Sequence, residues 1–192
     1  MVLASKNKGK IAEMQQILEP MGIELHSAFG YPELTEIEET GSTFKENALI
    51  KARETFRITG EPSLADDSGL QVDALDLRPG VYSARYAGPD ADDAQNVEKL
   101  LRELKAHTTP ESRTARFKCV LVYIDQKGTH YFEGTCEGHI AATRSGSSGF
   151  GYDPVFVPKG YDVTFAGMDA GEKNKISHRG RALEKFKEFL GA

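Results

Sequence analysis

At 192 residues, with 39% apolar side chains and a formal net charge of −5, the chain is sized for one domain or two small lobes around a true core. The acidic balance argues against a general nucleic-acid binder, which needs a basic surface, and no run approaches the ~20 apolar residues of a membrane helix. Cys119 and Cys136, the only cysteines, sit in strand-like text and read as reduced core thiols, not as a staple or a zinc site.

The first residues, Met1 to Ala4, read as a short buried strand. They pass straight to Lys6 with no signal-peptide core, so a cytoplasmic protein without membrane or nucleic-acid partners is expected. Ser5-Lys6-Asn7-Lys8-Gly9-Lys10 reads as a turn, after which Ile11, Met14 and Leu18 repeat at helical spacing until Pro20 and Gly22 stop the helix. A strand, a polar glycine-containing loop and a helix suit phosphate, because a helix N-terminus offers unpaired N–H groups and the lysines add full charges. The loop is not of the Walker type, since Gly9-Lys10 is followed by Ile11 and not by Ser or Thr. A solvated basic turn is the simpler alternative.

Ile23 to Ser27 suggests a second strand. Glu33 to Gly41 is acidic and irregular; such a run is usually solvated, but one of Glu36, Glu38 and Glu39 can supply an oxygen ligand to a divalent metal. Thr43 and Glu46 have the spacing of a capping box, which gives Glu46 a structural task. The helix they start runs to about Thr59, with Phe44, Ala48, Ala52 and Phe56 as its apolar stripe. Asn47 and Lys51 lie four apart on another face and can point together into a cleft, although paired surface residues explain them as simply.

Ala65-Asp66-Asp67-Ser68-Gly69-Leu70 reads as a strand that ends in an acidic turn, with Asp66 and Asp67 on opposite faces. One of the two then faces a cleft and the other ties down the loop; a plain solvated turn is the alternative. Arg78 to Arg85 is a loop or short helix, Asp92 to Lys105 a helix, and Thr114 to Asp125 and Thr129 to Ile140 long strands joined by a short turn. Phe150-Gly151-Tyr152-Asp153-Pro154 follows a run of small residues. Its aromatics can stack on a ring and its carboxylate can accept a hydrogen bond from that ring, or the segment simply plugs the core. Ser177 is a plausible N-cap for a closing helix with Leu183, Phe186 and Leu190 inward. That puts His178 and Arg179 at the helix end that disfavours cations, which points to an anionic or carbonyl-rich partner nearby.

Taken together, Ser5-x-Asn7-x-x-Lys10, Thr43-Phe44-x-Glu46-Asn47-Ala48, Ala65-Asp66-Asp67-Ser68-Gly69-Leu70, Pro79-Gly80-x-Tyr82-Ser83-Ala84-Arg85, Phe150-Gly151-Tyr152-Asp153-Pro154 and Ile176-Ser177-His178-Arg179 resemble the inosine/xanthosine triphosphate pyrophosphatase family, nearly end to end. The resemblance implies a single α/β domain over residues 1–192: an elongated two-lobed fold with a central mixed sheet flanked by helices, a nucleotide cleft between the lobes, and a homodimer. It implies Mg²⁺-dependent hydrolysis of ITP, dITP and XTP to the monophosphate and pyrophosphate. Ser5, Lys6, Asn7, Lys8, Gly9, Lys10 and Lys51 then hold the triphosphate, and Glu39 and Asp67 the metal. Asp67 also acts on the attacking water, while Ser68, Phe150, Gly151, Tyr152, Asp153, Lys173, His178 and Arg179 form the base and ribose site. A non-catalytic nucleotide sensor and a triphosphatase of other base preference are the alternatives.

Overall fold

A computed structural model describes residues 1–34 and 37–191. Its helices start where the side chains dictate. Asn7 caps α1 (Lys8–Leu18) by accepting the Lys10 N–H at 3.0 Å. Lys8, Gly9 and Lys10 are therefore the first helical turn and not part of a loop, and the connection from β1 (Val2–Leu3) is shorter than the sequence suggests. Leu18 ends the helix in a 3₁₀ turn, and Gly22 at φ 72° breaks it, as Pro20 and Gly22 foretell. α2 (Phe44–Thr59) opens on the expected capping box, with both Thr43–Glu46 bonds present, and closes on Gly60 at φ 69°. Phe44, Ala48 and Ala52 are buried, but the stripe ends on Thr55, with Phe56 only half-buried.

Six strands form one mixed sheet in the order β2-β1-β3-β4-β5-β6. Beyond β1 these are β2 (His26–Ser27), β3 (Ser63–Val72), β4 (Thr114–Asp125), β5 (Gly128–Ile140) and β6 (Phe156–Pro158). β1 pairs in parallel with β2 and with β3, Val2 lying opposite Ser63, whereas β5 and β6 are antiparallel, with Gly138 opposite Pro158. A Cβ on Gly138 would stand 2.2 Å from the Val157 carbonyl, so glycine permits that pairing. β3 does not end at the acidic pair; it runs through Asp66, Asp67, Ser68 and Gly69 to Val72. Lys10 and Arg179 at Asp66, and Lys51 at Asp67, offset the charge of carboxylates that would otherwise turn the chain out to water.

The remaining helices are α3 (Asp93–Glu103, capped by Asp92), α4 (Ala170–Ile176, capped by Asp169) and α5 (His178–Leu190). α4 carries Lys173 and Lys175. In α5, Leu183 and Phe186 are fully buried as expected, but Leu190 is exposed and Ala182 takes the third inward place. No helix among the described residues is long and apolar enough to cross a membrane.

The chain divides into two compact units. Unit 1 comprises Met1–Asp67, Cys119–Gly134 and Arg179–Ala192; unit 2 comprises Ser68–Lys118 and Thr135–His178. The core of unit 1 gathers Leu3, Met14, Leu18, Leu64, Leu121, Phe132, Leu183 and Phe186, and that of unit 2 gathers Leu70, Val97, Leu100, Phe117, Ile140, Tyr152, Phe156 and Phe165. Cys119 and Cys136 are buried and unbridged, as expected of core thiols.

Candidate functional site

In unit 1, β3 delivers Asp66 and Asp67 as adjacent residues, and regular strand geometry sends them to opposite faces. Both are buried, at 1% and 5% exposure, yet they meet different company. Asp66 pairs with the Lys10 ammonium and with Arg179, whose Nε donates to Oδ2 at 3.2 Å; the Cys119 thiol donates to the same oxygen at 3.1 Å. Burial alone would push the Asp66 carboxyl up, but Arg179 and Lys10 outweigh it and hold it well below the usual carboxylate range. Arg179, itself buried, also pairs with Glu13 on α1, and these carboxylates raise its pKa against the pull of burial. The anionic partner that an Arg at a helix N-terminus calls for is thus supplied by the chain itself. Glu13 is the residue that sequence analysis missed, since a glutamate in an amphipathic helix gives no signal of it.

Asp67 is the less compensated of the pair. Its Oδ1 lies 3.5 Å from the Lys51 ammonium, and its Oδ2 is buried with no hydrogen-bond partner among the described residues. Burial, with Glu39 and Asp66 adding negative charge, raises its pKa against Lys51 and Lys10. Lys51 also donates to Glu39 Oε1 at 2.6 Å. Burial works against the Lys51 ammonium, but Asp67 and Glu39 overcome it and keep the group charged. The i, i+4 spacing of Asn47 and Lys51 does place both on a buried face of α2. Of the three glutamates, Glu39 reaches Lys51, Glu38 is exposed and Glu36 lies outside the described residues.

No group of three or more His, Cys, Asp or Glu among the described residues could hold a metal ion. Glu39 and Asp67 nevertheless fit magnesium, which keeps several waters and takes one or two carboxylates plus substrate oxygens. The partnerless Asp67 oxygen is the atom such an ion would satisfy.

The expected phosphate loop is partly a helix start. Ser5 Oγ accepts the Asn7 N–H at 3.2 Å, Lys6, Asn7 and Lys8 are exposed, and Lys10 turns inward to Asp66.

In unit 2 the Phe150–Asp153 segment is held from several sides. Gly151 N–H donates to Asp93 Oδ2 at 2.7 Å, and the Tyr152 hydroxyl donates to the Ser83 carbonyl at 2.9 Å. Asp153 Oδ2 accepts the Phe150 N–H at 3.0 Å and the Lys173 ammonium at 2.6 Å, in a pair where both side chains are buried. Gly149 has φ +76°, and a Cβ there would stand 2.1 Å from Asp153 Oδ2, so the chain can pass this carboxylate only as glycine. Lys173 lies 5.3 Å from the centre of the half-buried Phe150 ring. His178 stacks on Phe117 at 4.6 Å and 9° between planes. Ser68 is half-buried on β3.

The model of the Ham1 family matches residues 1–189. A protein of Halalkalibacterium halodurans named dITP/XTP pyrophosphatase is 50% identical over 190 residues, covering 98% of this chain and 97% of its own. One of the same name from Bacillus subtilis is 49% identical over 192 residues, covering 100% and 96%. Among solved structures, a Ham1 protein from Coxiella burnetii superposes with a TM-score of 0.88 at 45% identity, over 99% of this chain and 97% of that one.

Proposed function

The chain belongs to the Ham1 family, and from that premise we propose that it hydrolyses deaminated purine nucleoside triphosphates (dITP, ITP and XTP) to the monophosphate and pyrophosphate. The observation that carries the chemistry is Asp67: a buried carboxylate with one oxygen near Lys51, the other without a partner, and Glu39 held on the same ammonium. Magnesium, bound by Glu39 and Asp67, would supply a positive charge to the phosphate oxygens.

Asp67 orients the attacking water and takes its proton. The water oxygen bonds to the α-phosphorus as the bond to the bridging α–β oxygen breaks, and pyrophosphate leaves with that electron pair. Ser5, Lys6, Asn7, Lys8, Gly9, Lys10 and Lys51 bind the triphosphate, since phosphoryl chemistry rests mainly on positioning and charge. Phe150 stacks on the base, and Ser68, Gly151, Tyr152, Asp153 and Lys173 fix the base and ribose. His178 and Arg179 are the donors proposed for the carbonyl at C6. Pairing with Asp66 and Glu13 would keep the Arg179 guanidinium in one orientation. An amino group at that position, as in adenine, would face donors and leave them unpaired. The acting form is proposed to be a cytoplasmic homodimer of a single domain.

The test is a nucleotide panel with Mg²⁺, scoring pyrophosphate by phosphate release with added inorganic pyrophosphatase. dITP and XTP should be cleaved far faster than ATP. Binding without turnover would favour a sensor, and a preference for ATP would overturn the base assignment.

A further inference from the structure

Asn47 lies one helical turn before Lys51 on α2 and is fully buried. Its Oδ1 accepts the Gly41 N–H at 2.8 Å, which fixes the amide and leaves Nδ2 buried with no partner among the described residues. The segment that carries Glu39 is therefore fastened to α2 at successive points. Lys51 holds the Glu39 carboxylate, Asn47 the Gly41 peptide, and Glu46 the Ser42 and Thr43 peptides. The approach is close: a Cβ on Gly41 would stand 2.6 Å from Glu46 Cβ and 2.7 Å from Asn47 Oδ1.

The Glu46 bonds belong to an exposed capping box, which a helix start needs wherever it occurs. Asn47 has no such excuse. Asn47 lies in the first turn of α2, and a buried amide that leaves one end unsatisfied costs stability there as elsewhere. A residue that breaks local rules beside a functional carboxylate is where function overrides stability. We propose that Asn47 is a positioning residue for the metal-binding carboxylate. It pins the Gly41 peptide, and through the two-residue step to Glu39 it keeps that carboxylate where Lys51 and Asp67 meet it. The inference rests on the proposed metal role of Glu39.

The test compares Asn47→Ala, Asn47→Asp and Gly41→Ala in the full chain. Amide exchange at Gly41, read by NMR, should be protected in the wild type and in Asn47→Asp, which keeps the acceptor oxygen, and lost in Asn47→Ala. Mn²⁺ alone, titrated by electron paramagnetic resonance, should bind Asn47→Ala and Gly41→Ala about 10–100-fold more weakly, the range for losing a group that orients a metal ligand. The Mg²⁺ needed for half-maximal turnover should rise in step, while KM for nucleotide at saturating Mg²⁺ changes little. In a Glu39→Gln background the further loss from Asn47→Ala should fall below about twofold, because coupled residues are not additive. A lowered melting temperature with unchanged Mn²⁺ affinity, or losses that multiply in the double variant, overturns the inference; Gly41→Ala decides the matter if Asn47→Ala does not fold. If the wild type cleaves no nucleotide, the proposed function fails, while the exchange and Mn²⁺ measurements still judge Asn47. If Glu39→Gln binds Mn²⁺ normally, the role of Glu39 fails and the inference falls with it.

Discussion

Two adjacent aspartates on one strand should respond oppositely to the same substitution. Asp66 is a buried anion whose charge is matched by Lys10 and Arg179. Asp66→Asn takes from Arg179, at 2% exposure, and from Lys10 the carboxylate that both pair with. Removing one member of a buried ion pair costs about 3–5 kcal/mol. At about 2–4 °C per kcal/mol for a chain of this size, the melting temperature should fall by roughly 6–20 °C. Asp67 is under-compensated, with one oxygen at 3.5 Å from Lys51 and the other without a partner, and Lys51 keeps Glu39 at 2.6 Å when Asp67 is gone. Asp67→Asn removes a desolvated charge and should change stability by less than about 1 kcal/mol, or raise it. The pH dependence has matching signs. The folded pKa of Asp66 is depressed, so its contribution is present above the unfolded value of about 4 and is lost as pH falls through the folded one. The folded pKa of Asp67 is raised, so its ionisation costs stability as pH rises from about 4 through the folded value. Thermal unfolding by circular dichroism, on both variants between pH 4 and 8, measures this. Equal melting temperatures for the two variants would refute the assignment of cations to Asp66.

For turnover the order reverses: Asp67→Asn should lose about 10²-fold or more in kcat while remaining folded. Near-normal kcat in the variant would move the base elsewhere. Lys10→Ala should weaken triphosphate binding far more than monophosphate binding by calorimetry, and equal losses would remove Lys10 from the phosphate site. Arg179→Ala, assayed on the folded fraction, should lower the ITP to ATP ratio of kcat/KM by about tenfold or more; a ratio that survives means Arg179 serves Asp66 alone. Gly149→Ala combines a left-handed φ with a Cβ 2.1 Å from Asp153 Oδ2, and should cost more than the about 1–2 kcal/mol of the backbone strain alone and raise KM for nucleotide in steady-state assays.

Much of this arrangement is written locally. Thr43 and Glu46 announce α2, the four-residue step from Asn47 to Lys51 puts both on one buried face, and the period of a strand separates Asp66 from Asp67. What local text cannot carry is burial by distant charge. Asp-Asp-Ser-Gly has the composition of a turn, and only Lys10 and Arg179 make it tolerable inside β3. The same limit hid Glu13, whose role exists only once α5 brings Arg179 to α1. Where apolar spacing alone was the guide, as at Phe56 and Leu190, it named the helix but not the depth of each side chain. The start of α1 at Lys8 turns on whether Asn7 caps, a choice that a lysine-rich polar run leaves open.

The pairing of Arg179 with Asp66 also sets an order of events during synthesis. The two residues are 113 apart in the chain. At 5–20 residues per second the ribosome needs about 6–20 s to reach Arg179 after Asp66. All of unit 2 is made in that interval, from Ser68 to His178. Through it, Asp66 and Glu13 wait for the Arg179 guanidinium, and the apolar faces of β1 and α1 wait for Leu183 and Phe186. Unit 1 is begun first and finished last, so the nascent chain holds an open half-core with exposed apolar surface for seconds, and that is the window in which chaperones would meet it.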